Sequence, residues 1–166
     1  HATKKVSSSG SHHGYFRTQG QSRKMDALVA DVLAAAAAGD KSIVFSCWTT
    51  TLDLIGLHFQ GNAITFDRID GDYGISQRQK VLDRFQNDPV ISTLIMTTGV
   101  GAFGLNIIAA NRVFLVEPQW NPSVEEQAVG RTIRIGQQKA VHVTRYIVRG
   151  TVEEDIQKFR LHQAMI

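Results

Sequence analysis

Three residues near the C-terminal end of the chain could bind a polyanion. Gln127, Arg131 and Arg134 are spaced i, i+4, i+7, so on a helix of 3.6 residues per turn all three project from one face. Two guanidiniums and an amide can bind a triphosphate. Glu125 and Glu126 lie on other parts of the helix circumference, so they cannot neutralise both arginines locally. A solvated helix face is an equal reading of the spacing alone. A second segment, Gly99-Val100-Gly101-Ala102-Phe103-Gly104, matches G-x-G-x-x-G and follows an apolar strand, with Glu117 at the end of the next strand. A dinucleotide fingerprint must open a full crossover helix. Only Leu105–Asn111 separates this loop from the next strand, room for about one or two turns. A phosphate-proximal loop with exposed backbone N–H groups is the preferred reading, and glycines that merely allow tight packing are the plain alternative.

The elements that position these residues can be read along the chain. Met25, Leu28, Val29, Val32 and Leu33 make one apolar stripe. The stripe continues into Ala34–Ala38, with Gly39 as the C-cap. Strands are predicted at Ser42–Cys47, Ala63–Ile69, Val90–Met96, Arg112–Val116 and Val141–Val148. Capping-box spacing at Thr50/Asp53, Ser76/Gln79, Ser123/Glu126 and Thr151/Glu154 opens four helices. The last of these is read as a core helix carrying Ile156 and Phe159. Apolar strands alternating with amphipathic helices predict an α/β, three-layer domain. Its sheet is mostly parallel, with about five to six strands and helices on both faces. Ligands then bind where the loops leave the C-terminal ends of the strands.

Composition narrows the class. The chain has 166 residues, 43% hydrophobic and 20% charged, which fits one packed domain. No stretch approaches the roughly 18 apolar residues of a membrane helix, and no apolar signal-peptide core is present. Cys47 is the single cysteine, so no internal disulfide can form. The net charge is +3, but Lys4, Lys5, Arg17, Arg23 and Lys24 all precede the first acid, Asp26. The remainder carries more acids than bases, so any nucleic-acid reading has to rest on motifs. Residues 1–22 read as a flexible linker or an expression remnant, and residues 23–166 as the domain. Adjacent His12 and His13 have no partner in sequence for a metal, and no metal site is expected.

Gln127-Ala128-Val129-Gly130-Arg131-Thr132-Ile133-Arg134-Ile135-Gly136-Gln137 resembles helicase motif VI of superfamily-two ATPases, with an Arg-Ile-Gly-Gln ending similar to the Swi/Snf branch. Leu94–Ile107 resembles motif V, with Gly104-Leu105-Asn106 as its hallmark. Gln119-Trp120-Asn121-Pro122 resembles the segment which that branch places between the two. Lys41–Leu54 resembles motif IV, and Ile69-Asp70-Gly71 the step that follows it. The resemblance implies the C-terminal RecA-like lobe of a two-lobed, DNA-stimulated ATPase and translocase of the remodelling or repair type. ATP would lie between the lobes. The N-terminal lobe would supply the P-loop and hold Mg²⁺, and neither a G-x-x-x-x-G-K-[ST] nor an Asp-Glu-x-His box occurs in this chain.

On this resemblance Arg131 and Arg134 act as arginine fingers, and Gln127, Gly101, Gly104 and Asn106 join them around ATP. Ser46, Trp48, Thr49, Thr97, Thr98, Gly99, Trp120 and Asn121 face DNA. The implied partners are double-stranded DNA, nucleosomes and the N-terminal lobe, with no membrane. The isolated lobe would be monomeric and inactive, and the location nuclear in a eukaryote or otherwise cytoplasmic. Several positions depart from the branch: Gly130 stands for Asp, Thr132-Ile133 for Ala-His, and Gly99 with Gly101-Ala102 for an Arg and a Gly-Gly pair. Roles carried by the missing histidine and arginine do not transfer. The rival functions are a strand-separating helicase lobe, a dinucleotide-binding oxidoreductase domain and a non-catalytic interaction module. An exposed Trp120 would favour function over packing.

Overall fold

The computed structural model describes residues 22–101, 107–130 and 138–163. Among them, five strands form one sheet: β1 (Ser42–Ser46), β2 (Phe66–Ile69), β3 (Thr93–Thr97), β4 (Arg112–Leu115) and β5 (His142–Arg145). The order is β2-β3-β1-β4-β5, and every pairing is parallel. The helices are α1 (Arg23–Ala37), α2 (Thr49–Gly61), α3 (Ile75–Asn87), α4 (Thr98–Gly101), α5 (Pro122–Gly130) and α6 (Val152–Gln163). Three strands are markedly shorter than predicted: β2 and β3 lose residues at their starts to the connections that precede them, and β5 loses residues 146–148 to the connection that follows it.

Period-two alternation divides the core between the sheet's two faces. Ile43, Phe45, Leu94, Met96, Val113 and Leu115 meet α3, α4 and α5 through Val81, Leu82, Phe85, Val100 and Ala128. Val44, Ile95 and Phe114 point the other way and meet α1 and α2 through Leu28, Val32, Leu52, Ile55 and Phe59. The result is helix, sheet, helix, the three-layer arrangement predicted.

Local signals held unevenly. On α1, Leu33 is exposed, because one step of about 100° beyond Val32 carries it off the stripe. Ala35 takes the inward place. Gly39, at φ +73°, closes α1 as a Schellman motif: its N–H bonds Ala36 O at 3.0 Å and the Asp40 N–H bonds Ala35 O at 3.0 Å. Helix α2 has no side-chain cap, and Asp53 turns to Arg68 instead, at 2.5 Å. Helix α3 also lacks one, and Gln79 pairs with Asp83 at 2.7 Å. On α6 the Thr151/Glu154 box forms in a variant: the Thr151 hydroxyl accepts from Glu153 N–H and Glu154 accepts from Gly150 N–H. The core role expected for α6 is corrected. Ile156 is buried, but Phe159 and Leu161 stand out in solvent. Lys24 holds the start of α6 by donating to Glu153 at 2.6 Å and to Val116 O at 2.8 Å.

Asp40 is buried at the α1–β1 turn between Lys139 and Arg112, each at 2.8 Å. Hydrogen bonds from Lys139 and then Arg112 hold its carboxyl well below the usual carboxylate range. A carboxyl whose folded pKa is depressed contributes stability above its unfolded pKa, and that contribution is lost as pH falls toward the folded value. Asp40→Asn is therefore expected to lower Tm at neutral pH, with the gap from the parent narrowing once pH drops below about 4. Thermal unfolding followed by circular dichroism across pH checks this, and a gap that widens in acid would refute it.

Candidate functional site

All five strands run the same way, so the loops that follow them emerge at one edge of the sheet. The centre of that edge is organised by Glu117, two residues beyond β4. Its carboxylate accepts the Ser46 hydroxyl at 3.0 Å and the Cys47 N–H at 3.1 Å, joining the ends of neighbouring β1 and β4. The Ser46 oxygen also accepts the Trp48 N–H at 3.1 Å, which turns the chain sharply outward. Trp48 is thereby 63% exposed, with Thr49 exposed beside it at the start of α2. Burial chiefly pushes the Cys47 thiol up, against a reactive role for it.

Ser46 itself is buried and engaged, so of the β1 residues expected at DNA it is Trp48 and Thr49 that reach the surface. At the end of β3, Thr97 is half-buried, Thr98 is buried and Gly99 is exposed. A Cβ built on Gly99 would meet nothing within 4 Å. Within the described residues, helix α4 covers Thr98–Gly101. Residues 107–111 lie outside any helix and β4 begins at Arg112, which leaves little room after β3 for the full crossover helix that a dinucleotide fingerprint opens. Gly104, Asn106, Arg131 and Arg134 lie outside the described residues.

The β4–α5 loop supplies the next set of groups. Asn121 caps α5, its Oδ1 accepting the Ser123 N–H at 3.0 Å, and Pro122 takes the first helical position. The predicted Ser123/Glu126 box is displaced because the helix starts at Pro122, moving the cap two residues back to Asn121. Trp120 is 58% exposed, in edge contact with Phe159 of α6 at 6.3 Å between ring centroids. That exposure favours function over packing. Gln127 points outward from α5.

Opposite Gln127, Glu125 is 0% exposed. One of its oxygens accepts Gln119 N–H at 2.9 Å and Arg160 Nη1 at 2.6 Å, and the other accepts Arg145 Nε at 2.9 Å. Burial raises its pKa, but the Arg160, Gln119 and Arg145 bonds outweigh this and the net shift is downward, so it is ionised. The sequence reading missed Glu117 and Glu125 as organisers. A signal existed for Glu125: it sits three residues before inward Ala128, on the face that periodicity reserves for apolar side chains.

Residues 23–136 match the helicase conserved C-terminal domain. The chain belongs to that family. The lobe is 46% identical over 134 residues to DNA repair protein RAD5A of Arabidopsis thaliana, an alignment covering 81% of this chain and 13% of the relative. It is 40% identical over 142 residues to DNA repair protein rad8 of Schizosaccharomyces pombe, covering 84% and 12%. Among solved structures it is similar to the C-terminal part of the Fun30 ATPase domain, with a TM-score of 0.81 and 33% identity over 83% of this chain and 45% of that one. It is a Swi/Snf-like, RecA-like lobe, as its motifs imply. The lobe spans a small fraction of the length of these relatives. Among the described residues no helix is long and apolar enough to cross a membrane.

Proposed function

We propose that this lobe is the second half of an ATP-driven motor that tracks along double-stranded DNA, in remodelling or repair. The observation that carries the reading is the shared edge. Parallel β1, β3 and β4 send Trp48, Thr49, Gly99, Trp120 and Asn121 out of one side of the sheet, and α5 presents Gln127 directly after them. A surface of hydroxyls, amides, backbone N–H groups and aromatic rings suits the sugar-phosphate backbone. Such contacts position a protein without reading sequence, and they weaken with salt.

The donor set also fits a nucleotide. Gln127 on the outer face of α5, with Arg131 and Arg134 following at helical spacing, offers an amide and two guanidiniums to a triphosphate. Gly101 with the following Gly104 and Asn106 would border the same ligand. ATP supplies the transferable γ-phosphoryl group and, on hydrolysis, the free energy of the stroke. The two arginines neutralise charge on that group, Gln127 reports its presence, and the Mg²⁺ ligands come from an N-terminal lobe on the same protein. The lobe alone is then half a cleft, inactive and monomeric, acting in the nucleus of a eukaryote with nucleosomal or damaged DNA as substrate.

The test uses the intact protein. Hydrolysis should rise on adding duplex DNA and fall steeply with salt, with no strand separation in an unwinding assay. Efficient unwinding would replace this reading with a strand-separating helicase, and hydrolysis indifferent to DNA would overturn it. The purified lobe should show no meaningful hydrolysis.

A further inference from the structure

We propose that Glu125 is a positioning residue that couples the Trp120-Asn121 loop to helix α5, so that contact made by one is transmitted to the other. The inference rests on the motor reading above, in which the loop faces DNA and α5 faces the nucleotide. Three separate elements converge on this one carboxylate: the backbone N–H of Gln119, immediately before Trp120; Arg145 at the end of β5; and Arg160 on α6. Arg160 follows Phe159, whose ring meets Trp120. The loop, α5 and α6 therefore share one anchor, and the anchor is buried while both functional surfaces are exposed.

Stability alone is a poor account of this arrangement. Buried ion clusters can often be replaced by apolar residues of similar volume at little or no cost, so their presence is weak evidence of a stabilising role. What an apolar residue would not supply is direction. Both Glu125 oxygens are engaged by donors from different sides, which sets the roll of α5 about its axis. Gln127 is two residues on, about 200° around the helix, on the opposite side. A roll of about 20° moves a group about 6 Å from the axis by about 2 Å. Misplacement of about 1 Å can cost roughly 100-fold in rate, so a roll of that size is enough to switch a catalytic helix off.

The test is made on the intact protein, with Glu125→Gln, and with Arg160→Leu and Arg160→Lys as the milder pair should Glu125→Gln fail to fold. Two readouts are taken: duplex-stimulated hydrolysis as kcat and KM for ATP, and hydrogen–deuterium exchange of peptides spanning residues 119–130. Glu125→Gln and Arg160→Leu are expected to lower kcat by about 10- to 100-fold with KM for ATP changed less than about threefold. Exchange should rise across residues 119–130, and Arg160→Lys should recover most of both. Full kcat in a folded variant, a loss that appears only in KM, or exchange that changes in α6 alone would overturn the coupling. If the parent protein shows no duplex-stimulated hydrolysis, the motor reading fails separately. The exchange of residues 119–130 still decides whether Glu125 joins loop and helix.

Discussion

Arg134→Ala in the intact protein is expected to abolish DNA-stimulated hydrolysis, by a factor of roughly 10³–10⁵, while duplex binding stays within a few-fold of the parent. The asymmetry follows from what a guanidinium does in each setting. In phosphoryl transfer the charge on the γ-oxygens is spread through a loose transition state, and a planar cation held against it stabilises that state more than the bound nucleotide. On DNA, by contrast, affinity is summed over many phosphate contacts, and losing one group on the nucleotide side removes none of them. Arg134 lies outside the described residues. Its assignment rests on its spacing from Gln127, on α5 running in that phase as far as Gly130, and on a family match that continues to Gly136. Arg134→Lys should not restore turnover, because a point charge lacks the guanidinium fork. Steady-state hydrolysis with saturating duplex, beside a filter-binding titration, makes the measurement. Unchanged turnover refutes the finger assignment, and a parallel loss of DNA affinity would move Arg134 to the DNA side.

Phe85→Ala is expected to lower folding stability by about 3–5 kcal/mol, a large part of the roughly 5–15 kcal/mol available to a domain. Phe85 is fully buried on α3, in the cluster it forms with Val81, Leu82 and the β1 and β3 side chains. Truncation removes its transfer energy and leaves a cavity that close-packed neighbours can only partly fill. It also removes the ring beneath Lys41, whose ammonium sits 5.0 Å from the centroid and donates to the carbonyls of Phe85 and Asp88. Loss of that cation–π contact adds to the destabilisation. Urea unfolding should show a lower midpoint with the slope unchanged, because the surface exposed on unfolding is nearly the same. A change below about 1.5 kcal/mol would mean that the α3 face repacks, and Phe85→Leu should fall between the two.

Much of the fold was legible because it is local. A stripe such as Met25, Leu28, Val29 and Val32 is written by the helical period, and the Gly39 cap by the need for positive φ at a Schellman turn. Where two local signals competed, tertiary partners chose. Asp53 could cap α2 or pair with Arg68, and the arginine prevailed. Leu161 and Phe159 look like core side chains by type, yet among the described side chains of α6 it is Ile156 that is buried and Arg160 that reaches the interior carboxylate of Glu125. The polar edge strands β2 and β5 differ from the buried inner three, but the place of β1 between β3 and β4 has no trace in its own sequence, because all three inner strands are short apolar runs that could pair on either side.

The site divides along the same line. The expected motif chemistry rests on the chain itself: the amide and guanidiniums at helical spacing, the glycines after β3, and Trp120-Asn121-Pro122 between them. Residue type and short spacing set what these groups can bind. Which polar groups are spent inside the protein was not readable. Ser46 looks available in sequence, but Glu117, 71 residues away, engages it. Glu125 looks like a solvated helix acid, but Arg145 and Arg160, 20 and 35 residues away, draw it into the interior. A carboxylate can be buried only where donors already converge. That convergence is a property of the packed sheet and its helices. The sequence by itself determined the period of the elements and the chemistry of the edge. Tertiary structure decided which side chains hold that edge in place and which are left to face a ligand.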